Sequence, residues 1–169
     1  MKKTDLGLKE FKADFSDRVV LVTGASRGIG RAIALAFARC GAKLVIHARN
    51  EGRLAAVAGE IRDLGGEVLS RSLDVAIEED VIAGIDEAER HFGAVHILVN
   101  NAGIYQTLPM LGHPTETWHS ILNTNLTAAF FYSRQLVKGM LDSGWGRIIN
   151  ISSISGKHAE IHGAAYSAS

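Results

Sequence analysis

Four apolar residues, Val19-Val20-Leu21-Val22, pass directly into Thr23-Gly24-Ala25-Ser26-Arg27-Gly28-Ile29-Gly30 and then into Ala32-Ile33-Ala34-Leu35-Ala36-Phe37-Ala38. This order constrains the fold strongly, because it reads as strand, glycine turn and helix. Gly24 can take the backbone angles of a tight strand-to-helix turn. Gly28 and Gly30, lacking Cβ, allow close approach of a pyrophosphate and close helix packing. The helix that starts there adds free N–H groups and the positive end of its dipole. Arg31 and Ala32 stand where a nucleotide-kinase loop carries Lys followed by Ser or Thr, so the G-x-x-x-G-x-G spacing argues against that loop. Taken alone, the glycines fit a plain connecting turn equally well.

The rest of the chain repeats the alternation. Residues 1 to 16 mix charged and apolar character and are expected to form an extension, with one domain over 17 to 169. The first helix carries Ile29, Ile33, Phe37 and Cys40 on its predicted apolar face and stops at Gly41. Leu44-Val45-Ile46 reads as a second strand, followed by a helix with Leu54, Val57, Ile61 and Leu64, closed by Gly65-Gly66. A third strand is predicted over 67 to 73, then a helix marked by Val81, Ile82, Ile85 and Ala88. The fourth strand, Ile97-Leu98-Val99, leads into Asn100-Asn101-Ala102-Gly103. A loop over 104 to 117 holds Pro109 and Pro114, and its Tyr105, Leu108 and Met110, with Trp118, are candidates for one wall of a cleft or for packing. A long helix from about Trp118 to Ser143 presents Trp118, Ile121, Leu122, Ala129, Leu136 and Met140 on one side. Gly144 and Gly146 end it before a fifth strand over 147 to 151.

Short strands separated by helices predict the α/β class, an open, doubly wound parallel sheet, since parallel strands need crossover helices and crossovers are right-handed. Ligands of such sheets bind beyond the carboxyl ends of the strands, near the point where strand order reverses. The glycine turn and the residues after strands four and five lie at that edge.

Composition narrows the partners. The 169 residues carry 18 basic and 18 acidic side chains, so no net field points to nucleic acid or an anionic membrane. No signal-like apolar run opens the chain and no membrane-length apolar stretch occurs, so a cytoplasmic protein is expected. Asn125-Leu126-Thr127 and Asn150-Ile151-Ser152 match the glycosylation pattern, which a cytoplasmic chain does not use. The lone Cys40 excludes an internal disulfide. Among seven histidines, His158 and His162 lie four apart in a glycine-bracketed loop without a partnering Cys or carboxylate cluster, so no metal site is expected.

These residues together resemble the short-chain dehydrogenase/reductase family, over nearly everything after residue 17. Thr23 to Gly30 matches its cofactor turn, Asn100-Asn101-Ala102-Gly103 its NNAG element, and Asn125 the asparagine of its central helix. Ser153 and Tyr166 match its serine and tyrosine, thirteen positions apart. The resemblance implies a Rossmann-type doubly wound parallel sheet with helices on both faces, missing its C-terminal elements. It implies that Tyr166 exchanges a proton with an alkoxide or alcohol, that Ser153 holds the substrate oxygen, and that Asn125 anchors a water in a proton relay. Cofactor contacts fall to Gly24, Ser26, Arg27, Gly28, Ile29, Gly30, Arg49, Asp74, Val75, Asn101, Ala102 and Gly103. Individually, Ser153, Tyr166 and Asn125 also suit a polar loop, a core aromatic and a backbone bridge, and Asp74 suits a helix cap.

The family's next element is a lysine four residues after the tyrosine, which would be residue 170, whereas this sequence runs to Ser169. Little turnover, an exposed fifth-strand edge and poor stability are therefore expected of a 169-residue chain, which reads as a fragment of an active enzyme. The alternative is a non-catalytic dinucleotide-binding fragment. A Rossmann-like methyltransferase is disfavoured by Asn100 to Gly103 and by Ser153 with Tyr166. After strand two the chain reads His47-Ala48-Arg49-Asn50, with no acid for a ribose 2′-hydroxyl, and Arg27 and Arg49 suit a 2′-phosphate, so NADP(H) is favoured over NAD(H). Residues 156 to 169 resemble the loop of β-ketoacyl and polyketide reductases, suggesting a small-molecule carbonyl or alcohol substrate such as a 3-oxoacyl thioester on acyl carrier protein. Sugar and secondary-alcohol dehydrogenases share that core. For the full-length form a homo-oligomer is expected.

Overall fold

The computed structural model describes residues 13–169, so the expected 1 to 16 extension lies mostly outside the described residues. Strands β1 (Val19–Thr23), β2 (Lys43–Ala48), β3 (Val68–Ser72), β4 (Ile97–Asn100) and β5 (Arg147–Asn150) form one sheet in the order β3-β2-β1-β4-β5. Every neighbouring pair is parallel, with Leu21 opposite Val45 on one side and Leu98 on the other. Strand order reverses between β1 and β4, which places the crevice at the carboxyl end of those two strands.

Side chains alternate across the pleat, and the helices divide accordingly. Val20, Val22, Leu44, Ile46, Ile97 and Val99 face α1 (Gly28–Arg39) and α2 (Glu51–Asp63). Val19, Leu21, Val45 and Leu98 face α3 (Glu78–Phe92) and α5 (Ala128–Asp142) on the opposite side. The predicted α/β doubly wound architecture is therefore the one observed. Among the described residues, no helix is long and apolar enough to cross a membrane.

Two details depart from the predicted pattern. The buried stripe of α1 is Gly30, Ala34, Leu35 and Ala38, with Ile33 and Phe37 flanking it, while Ile29 is 62% exposed. Small residues on the stripe let α1 lie close to the sheet, and the first turn projects Ile29 outward. The predicted long helix starts earlier and is interrupted: α4 (Thr115–Leu122) begins after Pro114, and a wide π turn over Asn123–Thr127 joins it to α5. The extra residue shifts the inward face, so Ile121, Thr124, Ala128, Tyr132, Leu136 and Met140 are buried, whereas Trp118, Leu122 and Ala129 are only half-buried. At the sheet edge, β5 pairs among the described residues only with β4, and Ile148 and Ile149 are each 39% exposed. A short helix, α6 (Ala164–Ala168), follows.

His47 on β2 points into the α3/α5 side of the core, fully buried, with Nδ1 2.7 Å from the Tyr132 hydroxyl. Its Nε2 has no partner among the described residues. Burial, reinforced by the Arg71 charge, lowers its pKa to about 3. The folded value lies below the unfolded one, so this stability is present above about pH 6.5 and is lost as pH falls from about 6.5 toward the folded value, by about 2 kcal/mol at pH 5. Thermal melts should therefore drop more between about pH 7.5 and about pH 5 in the native chain than in His47→Gln. Equal drops would refute this assignment.

Candidate functional site

The glycine turn is locked to the end of β4 by a small set of groups. Thr23 Oγ1 accepts from the backbone N–H of Asn101 and of Ala102, both at 3.0 Å. Asn101 Nδ2 donates back to the carbonyls of Thr23 and Gly24 at 2.9 and 3.3 Å. The turn fits so closely that a Cβ on Gly30 would lie 2.4 Å from Asn101 Nδ2 and 2.5 Å from the Gly24 carbonyl oxygen. Gly24 has φ +65° and a Cβ there would meet Ala102 Cα at 2.8 Å. Gly28 differs: its φ is +56°, yet the space where its Cβ would sit is open. Thus Gly24 and Gly30 serve packing, while Gly28 bares backbone toward the cleft.

That cleft, of about 630 Å³, is floored by Gly24, Ser26, Arg27, Gly28 and Ile29. Its far wall is Ala48, Arg49, Asn50 and Arg53, and Leu73 with Val75 form an apolar side. Asn101, Ala102, Gly103 and Ile104 close the other side, with Thr124 behind. The N-cap residue Arg27 makes no side-chain cap bond and the first turn of α1 holds no acid, so the leading N–H groups suit an anionic ligand. Among the described residues, no carboxylate pairs with Arg27, Arg49 or Arg53. A cradle that a Cβ would fill, an uncapped helix start and three guanidiniums suit a dinucleotide phosphate group.

Arg53 was not anticipated from the sequence, although Asn50 three residues earlier was the available signal. The Asn50 side chain accepts from Arg53 N at 2.9 Å, capping α2 and setting Arg53 on its first turn beside Arg49. Asp74 does not line this cleft. Its carboxylate instead accepts from Ala76 N at 3.0 Å, holding the bend before α3, whose own N-terminus lacks a side-chain cap. His47, two positions before Arg49, turns into the core and contributes nothing to the cleft.

A second cavity of about 400 Å³ shares Ile29 and the wall Asn101 to Ile104 with the first and continues it toward β5. Asn125, Ser153 and Tyr166 all line it. Asn125 sits in the π turn and clamps Ile104 reciprocally, accepting from its N–H at 2.8 Å and donating to its carbonyl at 3.0 Å. Asn125 Nδ2 also reaches Ser169 Oγ at 2.9 Å. Ser153 follows β5, and its Oγ accepts from Ser155 N at 3.2 Å, capping the short turn Ile154–Gly156. Half-buried Tyr166 on α6 meets the Tyr105 ring edge-to-face at 4.8 Å. Asn100 Nδ2 donates to Asn150 Oδ1 at 2.9 Å, joining the ends of β4 and β5 beneath this cavity.

Of the loop residues that were candidates for a wall, Tyr105 lines the second cavity, whereas Leu108 and Met110 do not, and Met110 is 72% exposed. Trp118 lies against His113 instead, edge-to-face at 6.5 Å. His158 and His162 are both exposed, and among the described residues no three ligating side chains cluster.

Residues 18–169 match the short chain dehydrogenase family. The chain is 39% identical over 139 residues to a 3-oxoacyl-acyl-carrier-protein reductase, FabG, of Pseudomonas aeruginosa, covering 82% of this chain and 56% of that relative. Among solved structures, an actinorhodin polyketide ketoreductase with NADPH superposes with TM-score 0.87 at 37% identity, covering 92% of this chain and 60% of that one. An NAD+-bound xylitol dehydrogenase gives TM-score 0.87 at 34% identity, over 91% of this chain and 60% of that one.

Proposed function

The chain belongs to the short chain dehydrogenase family, and on that premise we propose that it is an NADP(H)-dependent oxidoreductase interconverting a carbonyl and a secondary alcohol. The observation that carries this reading is that Asn125, Ser153 and Tyr166 line one cavity, which shares the wall Asn101 to Ile104 with the first cleft. When bound, the cofactor supplies or accepts the hydride. The Tyr166 phenol gives its proton to the developing alkoxide in reduction and takes one from the alcohol in oxidation. The Ser153 hydroxyl holds the substrate oxygen in place for transfer. Asn125 fixes the Ile104 backbone that both cavities share, and with both amide protons engaged, a relay water would be held at the remaining acceptor site of Oδ1.

Preference for NADP(H) rests on Arg27, Arg49 and Arg53 around the cleft and on the absence of an acid at the end of β2. These guanidiniums are solvent-exposed, so each is worth a modest factor. Arg49→Ala with Arg53→Ala should weaken NADPH binding by about tenfold and leave NADH binding nearly unchanged, read by fluorescence titration. Equal or tighter binding of NADH by the native chain would overturn the cofactor choice. A 3-oxoacyl thioester carried on acyl carrier protein is the proposed substrate class, on the likeness to the Pseudomonas aeruginosa reductase. Comparing kcat/KM for a 3-oxoacyl thioester and for a polyol tests it, and a preference for the polyol would reject it.

A further inference from the structure

Glu160 plays no part in the reading so far, yet its one carboxylate reaches both sides of the Ser153–Tyr166 cavity. Oε1 accepts from Ser155 Oγ at 2.8 Å, and Ser155 Oγ in turn accepts from Ser153 Oγ at 3.2 Å. Oε2 accepts from the Tyr105 hydroxyl at 2.8 Å, and the Tyr105 ring packs on Tyr166. Each residue expected to touch substrate therefore rests against a neighbour that Glu160 holds.

The local backbone is arranged to deliver that carboxylate. Gly163 N donates to the Glu160 carbonyl at 3.1 Å, forming a tight turn, and His162 within it takes a left-handed φ of 62°. A Cβ on Gly163 would come within 3.0 Å of Glu160 Cβ, so a glycine here leaves room for the side chain. The same turn returns a second tie, from Leu108 N to the His162 carbonyl at 2.8 Å. The loop after β4 and the loop after β5 are thus strapped together at two points, one through backbone and one through Glu160. Two hydroxyl donors hold the Glu160 carboxyl below its usual range, Ser155 more strongly than Tyr105, consistent with bonds to the ionised form.

We propose that Glu160 is a positioning residue that orients Ser153 through Ser155 and Tyr166 through Tyr105. The assignment deepens the reductase reading and rests on it for the roles of Ser153 and Tyr166. With the ionised carboxylate taking the Ser155 proton, Ser155 Oγ faces Ser153 only as an acceptor, so the Ser153 proton rests on Ser155. One Ser153 Oγ lone pair is left for an alcohol O–H, while a carbonyl substrate takes that proton as it turns away from Ser155. With Tyr105 tethered, the edge of its ring limits the swing of the Tyr166 phenol. No bond is made or broken by Glu160 itself.

The test uses Glu160→Ala, Glu160→Gln and Tyr105→Phe, the last removing one hydroxyl while keeping the ring. Hydrogen exchange at the Leu108 amide should quicken by about tenfold in Glu160→Ala and in Tyr105→Phe, and no further in the double variant, because the two changes cut the same tie. Turnover of a carbonyl substrate with NADPH should fall by about tenfold or more in kcat for Glu160→Ala, with KM for NADPH unchanged. Glu160→Gln still accepts from Tyr105, so it should recover the exchange protection, but it donates to Ser155 and frees the Ser155 proton to point at Ser153, so kcat should stay low. Unchanged exchange in both single variants overturns the tie. Faster exchange with kcat unaltered overturns the positioning role, leaving a structural strap. Absence of turnover in the native protein says nothing against the tie, and the exchange measurement alone then decides whether Glu160 joins the loops.

Discussion

Replacing Gly30 by alanine is expected to destabilise the protein by about 3–5 kcal/mol and to abolish dinucleotide binding, an effect out of proportion to one added methyl group. The methyl would lie 2.4 Å from Asn101 Nδ2 and 2.5 Å from the Gly24 carbonyl oxygen. Neither can retreat cheaply, since Asn101 Nδ2 is already bonded to the Thr23 and Gly24 carbonyls, and Gly24 has Ala102 Cα against its other side. Relief by expelling the Asn101 side chain would strand two turn carbonyls and detach the end of β4 from β1. Gly28→Ala is the matched control. Its added methyl has open space and only the left-handed φ of +56° to strain it, costing about 1–2 kcal/mol. Thermal denaturation of the two variants separates packing from backbone strain. A melting temperature for Gly30→Ala within about 2 °C of the native chain would sink the packing argument.

The second large effect falls on the chemistry. Tyr166→Phe is expected to lower kcat for carbonyl reduction by about 10²- to 10⁴-fold while leaving NADPH affinity intact, because the phenol lines the second cavity and not the first. The ring contact with Tyr105 at 4.8 Å survives in phenylalanine, so the loss reports the hydroxyl and not the packing. A fall of less than about fivefold would remove Tyr166 from the proton transfer. Ser153→Ala has a second consequence: it removes the acceptor for Ser155 N at 3.2 Å, so part of its cost is expected in the stability of the turn after β5.

Much of this fold was legible because its signals are local. Apolar runs at Val19, Leu44 and Ile97 can only be buried strands once helices with three- and four-residue apolar spacing separate them, and the right-handed crossover then orders the sheet. The glycine turn was legible for the same reason, as a change of period from two to 3.6 across residues that tolerate positive φ. The long helix was read less well. Periodicity from Trp118 to Ser143 carries no mark of the π turn at Asn123–Thr127, since a wide turn is selected by what it packs against and not by a propensity of Asn or Thr. Ile29 was misplaced onto the buried face because hydrophobicity alone cannot tell a core residue from one at the mouth of a cleft, where it is 62% exposed. Arg53, Tyr105 and Glu160 are ordinary residues in the sequence, and their roles depend on partners brought from other segments.

The sequence by itself determined the α/β class, the position of the glycine turn and the family, because strand, helix and glycine signals lie within a few residues of one another. Only the tertiary structure decided which side chains share a cavity. It set Asn125 on the Ile104 backbone 21 residues away, turned His47 into the core two residues before Arg49 turns toward the cleft, and joined Tyr105 to Glu160 across 55 positions. Contacts of that separation arise when the sheet closes, as β1 takes β2 and β4 for neighbours. No local preference encodes them, since each is the consequence of where two distant backbones are carried by the same crossover.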